Sequence, residues 1–400
     1  MLSDKHTLRS AGQHGSPFAR LLLREWQRVA RQPLYWFAMV LAPLFCCLYF
    51  TTLMQQGLPE SLPAGVVDED GTSTSRNLVR NLDAFQMVSL ERSYTNVGEA
   101  RRAMQRGEIY GFYLIPRGTA SEAQRQRVPT LSFYTNYSYL VAGSLLYRDM
   151  RTMSELASGA AARSVLYARG ATERQAMAYL QPVVIDMHPV GNPWLNYNVY
   201  LSNILIPGVL GLFVFMMTVY GLGTELKHRT AGAMMRRAGG SMGRALTAKL
   251  LVQGAVFVLT GTLIVLWLYG WLRFPCYGGL WRMACVMLLF IVACQGFGVL
   301  LFTLMPTLRL SLSGASLWGV ISFSISGMSF PVMAMHPVLQ GLAWLFPLRH
   351  YYMLYVNTAL DGYPLLNAAP YLMALLAFTL LPALCLPRLR HIMLHTAYVP

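Results

Sequence analysis

Residues 326–355 read SGMSFPVMAMHPVLQGLAWLFPLRHYYMLY, and three prolines divide this stretch into short pieces. It overlaps the end of an apolar, charge-free run over residues 310–330, which is long enough to cross a bilayer because about 20 apolar residues span the hydrocarbon core. Pro331, Pro337 and Pro347 then interrupt any helix at short intervals. Irregular backbone at membrane depth survives only where protein or a wet cavity covers it, so we expect two short re-entrant helices in the outer leaflet.

The composition of the whole chain agrees with a membrane protein. Its 400 residues are 55% hydrophobic and 12% charged, whereas ordinary soluble domains are about 25% charged. This balance excludes the class of cytosolic enzymes. The net charge of +15 comes from basic residues that flank apolar segments. Because they do not cluster with aromatic residues on one polar domain, they favour membrane orientation over nucleic-acid binding.

The apolar runs predict an α-helical polytopic membrane protein with six transmembrane helices, re-entrant helices and an inserted α/β extracytoplasmic domain. The predicted order is an N-terminal cytoplasmic segment with an amphipathic interfacial helix (1–33), the first transmembrane helix (34–54), the extracytoplasmic domain (55–198), the second transmembrane helix (199–222), a cytoplasmic loop (223–249), transmembrane helices three to five (250–330), the re-entrant segment (331–368), the sixth transmembrane helix (369–387) and a cytoplasmic tail (388–400).

The N-terminal segment carries an arginine-rich amphipathic pattern. Residues 1–15 are polar and predicted to be disordered, and Ser16 is a candidate N-cap because Pro17 follows it at the first helical position. Helical spacing places apolar residues on one face, namely Phe18, Leu21, Leu22, Trp26 and Val29. A helix of this kind directly before a transmembrane run is expected to lie in the cytoplasmic membrane interface, an interpretation that is compatible with binding of a partner.

The segment between the first two apolar runs has the polarity of a globular domain. Strand patterns alternate with helical patterns, which predicts strands at AGVVDED, FQMVSLE, IYGFYLIP and VPTLSFYTN and a long helix over residues 139–169. The acidic run Asp68-Glu69-Asp70 could suggest a metal site. Because it ends a strand directly before Gly71, and nothing nearby completes an oxygen cage, we favour a role in the turn and the helix cap.

The basic residues also predict the orientation. The N-terminal segment, the loop 223–249, Arg309 and the tail all fall on one side of the membrane, so both termini should be cytoplasmic. The three lysines of the chain lie on that same side, whereas the inserted domain has fourteen arginines and no lysine.

The segment SGMSFPVMAMHPVLQGLAWLFPLRHYY resembles the hallmark segment of ABC-2 type (type V) export permeases, in the subgroup with an enlarged extracytoplasmic domain between the first two transmembrane helices. The likeness rests on Gly-x-Ser-Phe-Pro and Pro-x-x-His-Tyr, with His336 before Pro337 as a departure. It is supported by the strand and turn near residues 64–76. The resemblance implies a re-entrant gate whose residues are Phe330, Pro331, Pro337, Pro347, His350 and Tyr351.

The same resemblance assigns a coupling role to the loop after the second transmembrane helix. In such permeases a short helix of this loop sits in a groove of a separate ATPase subunit. The matching residues here are Glu225, Lys227, Arg229, Thr230 and Gly232, although the usual second acid is replaced where His228 or Arg229 falls. The alternative is a solvated basic loop.

Energy must come from a partner, because the chain has no GxxxxGK[ST] phosphate-binding loop. The resemblance therefore implies ABC ATPase subunits that bind ATP and Mg, with no cofactor in this chain. It also implies a second permease, as a homodimer or with a paralogue, a periplasmic adaptor and membrane lipids as partners. The expected location is the inner membrane of a bacterium, and the expected cargo is a drug, lipid or similar amphiphile.

Several polar residues of the apolar runs are candidates for the lining of a translocation path. They are Asn203, Gln295, Ser322, Ser326 and Ser329. The alternative is that small and polar residues form packing seams between helices.

The sequence offers no catalytic site and no metal site. The predicted spans contain no carboxylate of the kind that relays protons, and the six cysteines show neither a disulfide framework nor a metal spacing. One alternative of another class stays open, which is a membrane-anchored receptor or assembly scaffold without transport activity.

Overall fold

The computed structural model describes residues 17–125, 127 and 129–396. The predicted disorder of residues 1–15, the predicted N-cap at Ser16 and the last four residues of the predicted tail lie outside these residues. The chain forms two compact units. One comprises residues 17–57 together with residues 189–396, and the other comprises the described residues of Leu58–His188.

The first unit is helical. Its elements in chain order are α1 (Pro17–Arg31), α2 (Pro33–Leu53), α3 (Tyr197–Lys227), α4 (Ala231–Arg237), α5 (Met242–Trp271), α6 (Leu280–Leu304), α7 (Leu308–Ile325), α8 (Pro337–Ala343), α9 (Pro347–Tyr355) and α10 (Ala369–His395). Within the described residues, six helices are long and apolar enough to cross a membrane, namely α2, α3, α5, α6, α7 and α10 with the short turn before it. The prediction of six spans is confirmed.

Three of these helices extend well beyond the predicted spans, and one of them, α5, starts at Met242, inside the predicted loop. Helix α3 starts two residues earlier than predicted and continues to Lys227, so its last turn enters the predicted loop. Helix α10 continues through the predicted cytoplasmic tail to His395 and tolerates two internal prolines.

Close approach of helices requires small residues in the centre of this unit. A Cβ on Gly296 of α6 would lie 2.1 Å from the backbone oxygen of Phe378 in α10. A Cβ on Gly208 of α3 would lie 2.3 Å from the ring of Phe323 in α7. Such contacts are sterically impossible, so glycine at these positions lets the helices pack at short range.

The segment after α7 forms two short helices, as the prolines predict. Pro337 and Pro347 each stand at the first helical position of α8 and α9, where a missing N–H costs nothing. Helix α9 is mostly buried in the helical unit, and α8 is mostly exposed. A π-helical turn, Val356–Leu360, follows α9.

The second unit is an α/β domain. Its strands are β1 (Leu62–Asp68), β2 (Val88–Ser93), β3 (Gly111–Ile115) and β4 (Ser132–Thr135), and its helices are α11 (Ser73–Asp83), α12 (Val97–Gln105), α13 (Thr119–Gln124), α14 (Leu140–Ala168) and α15 (Glu173–Leu180). The sheet order is β2-β1-β3-β4, with β1 parallel to both neighbours and β4 antiparallel to β3. The inserted α/β domain is thus present.

The acidic run at the end of β1 stabilises local structure. Asp68 accepts hydrogen bonds from the backbone N–H groups of Asp70 and Gly71 and from the Ser75 hydroxyl. Asp70 accepts from the N–H groups of Gly118 and Ala120 at 2.8 and 3.2 Å. These carboxylates act in the turn and at a helix start, as the sequence indicates.

Candidate functional site

Charged side chains meet inside the helical unit where α1, the end of α3 and the start of α5 come together. Three of them are almost completely inaccessible: Glu225 is 0% exposed, Lys249 1% and Glu25 3%. Arg24 and Arg28 of α1 complete the group and are partly exposed. We call these five residues the charge cluster.

Glu225, on the last turn of α3, is the centre of the charge cluster. Its two carboxylate oxygens lie 2.9 and 3.0 Å from Nη2 of Arg24. It also accepts from the Arg28 guanidinium and from the Thr230 hydroxyl. Arg28 in turn donates to the Thr224 hydroxyl at 2.7 Å. Charge-assisted bonds of this kind are roughly twice as strong as neutral ones, so they hold α1 firmly on α3.

Lys249 connects the same cluster to α5. Its Nζ lies 2.7 Å from Oε2 of Glu25 and 3.3 Å from Oε1 of Glu225. The cluster contains three cations and two carboxylates, so its formal net charge is +1. Buried charges are tolerated only when each has partners, and here every carboxylate oxygen has at least one cationic donor or hydroxyl donor.

The cluster also fixes the chain that leaves α3. Arg229 adopts a left-handed backbone conformation with φ 54°, which is uncommon for a residue with a side chain. The reversal lets the Thr230 N–H donate to the Glu225 carbonyl at 2.9 Å while its hydroxyl reaches the Glu225 carboxylate. Helix α4 then begins at Ala231 and packs Met234 and Met235 inward.

The predicted coupling residues therefore divide into two groups. Glu225 and Thr230 face inward, where the Thr230 hydroxyl bonds to the Glu225 carboxylate of the charge cluster, and Gly232 is half-buried in the first turn of α4. Lys227 and Arg229 are exposed, together with three other basic side chains, His228, Arg236 and Arg237. These five exposed basic side chains form a short knob on the surface. The buried ion pairs of the charge cluster hold this segment in place.

The candidates for the lining of a translocation path do not gather at one place, unlike the charge cluster. Asn203 is buried, donates to the Val199 carbonyl at 2.7 Å and accepts from the Tyr269 hydroxyl at 2.7 Å. Gln295 donates to the Leu250 carbonyl at 3.0 Å. These hydrogen bonds lie within α3 or join neighbouring helices of this chain.

The three serines of the set do not share one face. Ser322 and Ser326 are buried and donate to backbone carbonyls of their own helix, whereas Ser329 is exposed beyond its end. The structure does not bring the lining candidates together around one cavity.

The gate candidates also fall into two groups. Phe330, Pro331 and Pro337 are exposed, whereas Pro347, His350 and Tyr351 are buried. The His350 ring is hydrogen-bonded through Nε2 to the Trp344 carbonyl at 2.9 Å. It lies among the rings of Trp344, Tyr371 and Phe378, so α9 is fastened to α10 by aromatic contacts.

Sequence reasoning missed four of the five charged residues of the cluster. A signal was available in α1, because Leu21, Glu25 and Val29 stand four residues apart and share one helical face. All three are buried, while Trp26, which the pattern placed on the apolar face, is 48% exposed. No local pattern indicates that Lys249 reaches Glu25.

Comparison with known proteins gives one family. The profile described as "ABC-2 family transporter protein" matches residues 33–385, which is most of the chain. No curated protein and no solved structure gives a significant match.

Proposed function

Because this multi-pass membrane chain belongs to the ABC-2 family of transporter proteins, we propose that it is the permease of an ATP-driven exporter. A separate ABC ATPase subunit would bind ATP and Mg and hydrolyse the nucleotide. The permease would move a hydrophobic or amphiphilic compound, such as a drug or a lipid, out of the cytoplasm or the inner membrane.

The charge cluster is the observation that carries this proposal. It ties three elements, α1, α3 and α5, to the segment that leaves α3, with Glu225 bonded to residues of all three neighbours. A force applied to the knob at Lys227 and Arg229 would therefore reach two membrane-spanning helices and the N-terminal helix at once. Transmission of a movement from a partner to the membrane helices needs such a rigidly held segment, whereas a solvated loop does not.

The charge of the knob also suggests the chemistry of the partner surface that it contacts. Its exposed side chains are basic, namely Lys227, His228, Arg229, Arg236 and Arg237. A partner surface that receives them should be acidic, because complementary charge steers association and fixes orientation. We assign this surface to the ATPase and place it, with both termini, on the cytoplasmic side of a bacterial inner membrane.

Membership of the same family suggests further partners. Fewer than a third of the residues in the spans of α7 and α10 are buried within this chain, so a second permease, identical or paralogous, would pack on one of these helices or on α2. The inserted α/β domain would then lie outside the cytoplasm, where a periplasmic adaptor could bind it.

A double charge reversal tests the coupling role. Lys227→Glu with Arg229→Glu should keep the charge cluster intact, because neither side chain belongs to it. We expect the purified complex to lose most of its bound ATPase subunit and its vanadate-sensitive ATP hydrolysis. The matched control, Arg388→Glu with Arg390→Glu, makes the same charge change at exposed sites of α10.

Normal hydrolysis and normal ATPase binding in a well-expressed double variant would contradict the coupling role. That result would favour the alternative, a membrane-anchored receptor or scaffold in which the α/β domain is the working part.

A further inference from the structure

A second site lies at the opposite ends of α3 and α5 from the charge cluster. The end of α2, the start of α3 and the end of α5 enclose a cavity of about 530 Å³. This volume is in the range of small-molecule sites in proteins, which is roughly 300–1,000 Å³. By the predicted orientation the cavity faces the outer leaflet.

Aromatic side chains form one wall of this cavity. The last turns of α5 are π-helical over Leu266–Trp271, and such turns are often found at functional sites. The rings of Trp267 and Trp271 stack at 6.0 Å with 12° between their planes. Trp267 is held by a hydrogen bond to the Thr51 hydroxyl at 3.4 Å, while Trp271 is 75% exposed.

One cation completes the cavity. Arg273 is the charged residue among the described residues that line it, and no ion pair of the described residues includes it. Its backbone is left-handed, with φ 53°, a strained conformation for a residue with a side chain that tends to persist where function requires it. The exposed amide of Gln55 lies in the same lining.

We propose that this cavity binds an anionic amphiphile. Its acidic headgroup would pair with Arg273 and accept a hydrogen bond from Gln55. The first part of its apolar chain would lie along the stacked rings of Trp267 and Trp271. An anionic membrane lipid and a free single-chain amphiphile share this chemistry. The inference is independent of the transport proposal, because binding needs neither ATP nor a partner subunit.

Native mass spectrometry of the full chain tests the site. The protein is taken from phosphatidylcholine vesicles that contain a minority of phosphatidylglycerol, and the dissociation constant of each bound lipid is measured. We expect one phosphatidylglycerol to bind more tightly than phosphatidylcholine. Arg273→Gln should weaken that one event about ten- to a hundredfold, in the range of a lost charge-assisted hydrogen bond.

Matched variants separate the site from general surface charge. Arg282→Gln removes another exposed arginine at the start of α6, outside the cavity, and should leave the affinity unchanged. Trp271→Leu should weaken binding, whereas Trp281→Leu should not, although Trp281 is equally exposed. Thermal unfolding of each variant checks that the fold is retained.

A competition arm identifies the source of the ligand. Dodecyl phosphate is added to the protein that carries phosphatidylglycerol. Displacement that depends on Arg273 assigns the site to a free amphiphile, and retention of the phospholipid assigns it to the membrane lipid. If Arg273→Gln and Arg282→Gln weaken the binding of phosphatidylglycerol equally, or if neither weakens it, the proposal is overturned.

Discussion

Nζ of Lys249 lies 2.7 Å from Oε2 of Glu25, which joins the start of α5 to the middle of the N-terminal helix. Both side chains are almost completely buried. The N-terminal helix is therefore part of the folded helical unit through an internal ion pair, in addition to its apolar contacts at Leu21 and Val29.

Removal of Lys249 should destabilise the protein strongly. Lys249→Met leaves the carboxylates of Glu25 and Glu225 buried with fewer cationic partners, and loss of one partner of a buried pair costs about 3–5 kcal/mol. We expect a lower midpoint of thermal unfolding in detergent. Lys227→Met, at an exposed position, is the control and should leave the midpoint unchanged. Equal midpoints for the two variants would show that the pair contributes nothing.

The close contact of α6 with α10 gives a second prediction. Gly296→Ala places a methyl group 2.1 Å from the Phe378 carbonyl oxygen, so the helices must separate, at a cost of about 1–3 kcal/mol. Gly341→Ala is the matched change, because nothing lies within 4 Å of a Cβ there. The midpoint of thermal unfolding should fall for Gly296→Ala and should not fall for Gly341→Ala. A neutral Gly296→Ala would argue against this helix packing.

A buried hydroxyl of α5 gives a third prediction. Tyr269 donates to Oδ1 of Asn203 at 2.7 Å. Tyr269→Phe removes the donor and leaves a buried acceptor without it, which costs about 1–3 kcal/mol. Tyr49→Phe, on the exposed face of α2, should have no effect on thermal unfolding. If Tyr269→Phe behaves in the same way, Asn203 is not a packing residue and its role as a lining candidate gains support.

The α/β domain should show an acid dependence at Asp70. Burial alone would raise the pKa of this carboxyl, but hydrogen bonds from Thr72 and from the backbone of Gly118 and Ala120 lower it below 3.8. Because the folded-state pKa is depressed, the stabilisation is complete above the unfolded value and is lost as the pH falls below about 3.8. The hydrogen-exchange protection factors of the Gly118 and Ala120 amides in the full chain, which are corrected for the intrinsic effect of pH, should therefore fall in that acid range.

Asp70→Asn separates this effect from general acid unfolding. The amide retains an acceptor oxygen but has no charge, so exchange at Gly118 and Ala120 should be faster at neutral pH and should lose its extra dependence on acid. An identical pH profile in the variant and the unsubstituted chain would exclude Asp70 as the source.

The large-scale architecture could be predicted from the sequence because it depends on local properties. Length and lack of charge in each apolar run are enough to indicate a span. Proline spacing likewise predicted the two short helices near Pro337 and Pro347, and alternating patterns predicted the strands of the inserted domain. Each of these features is encoded in neighbouring residues.

Apart from the inward position of Glu25, the charge cluster could not be predicted, because its residues are distant in the chain. Glu225 was selected from a resemblance to a coupling segment, which implied contact with a partner, whereas the structure buries its carboxylate among Arg24, Arg28 and Lys249. Which arginine of α1 faces inward depends on how α1 packs against α3 and α5. Only tertiary structure supplies that information.

Affinity purification of the chain from its native membrane in mild detergent tests whether it is the permease of an ATP-driven exporter. We expect that an ATPase subunit with Walker motifs is recovered with the chain, that hydrolysis is sensitive to vanadate, and that Lys227→Glu with Arg229→Glu removes both. Recovery of the chain alone in several detergents, with no ATP hydrolysis, would contradict it.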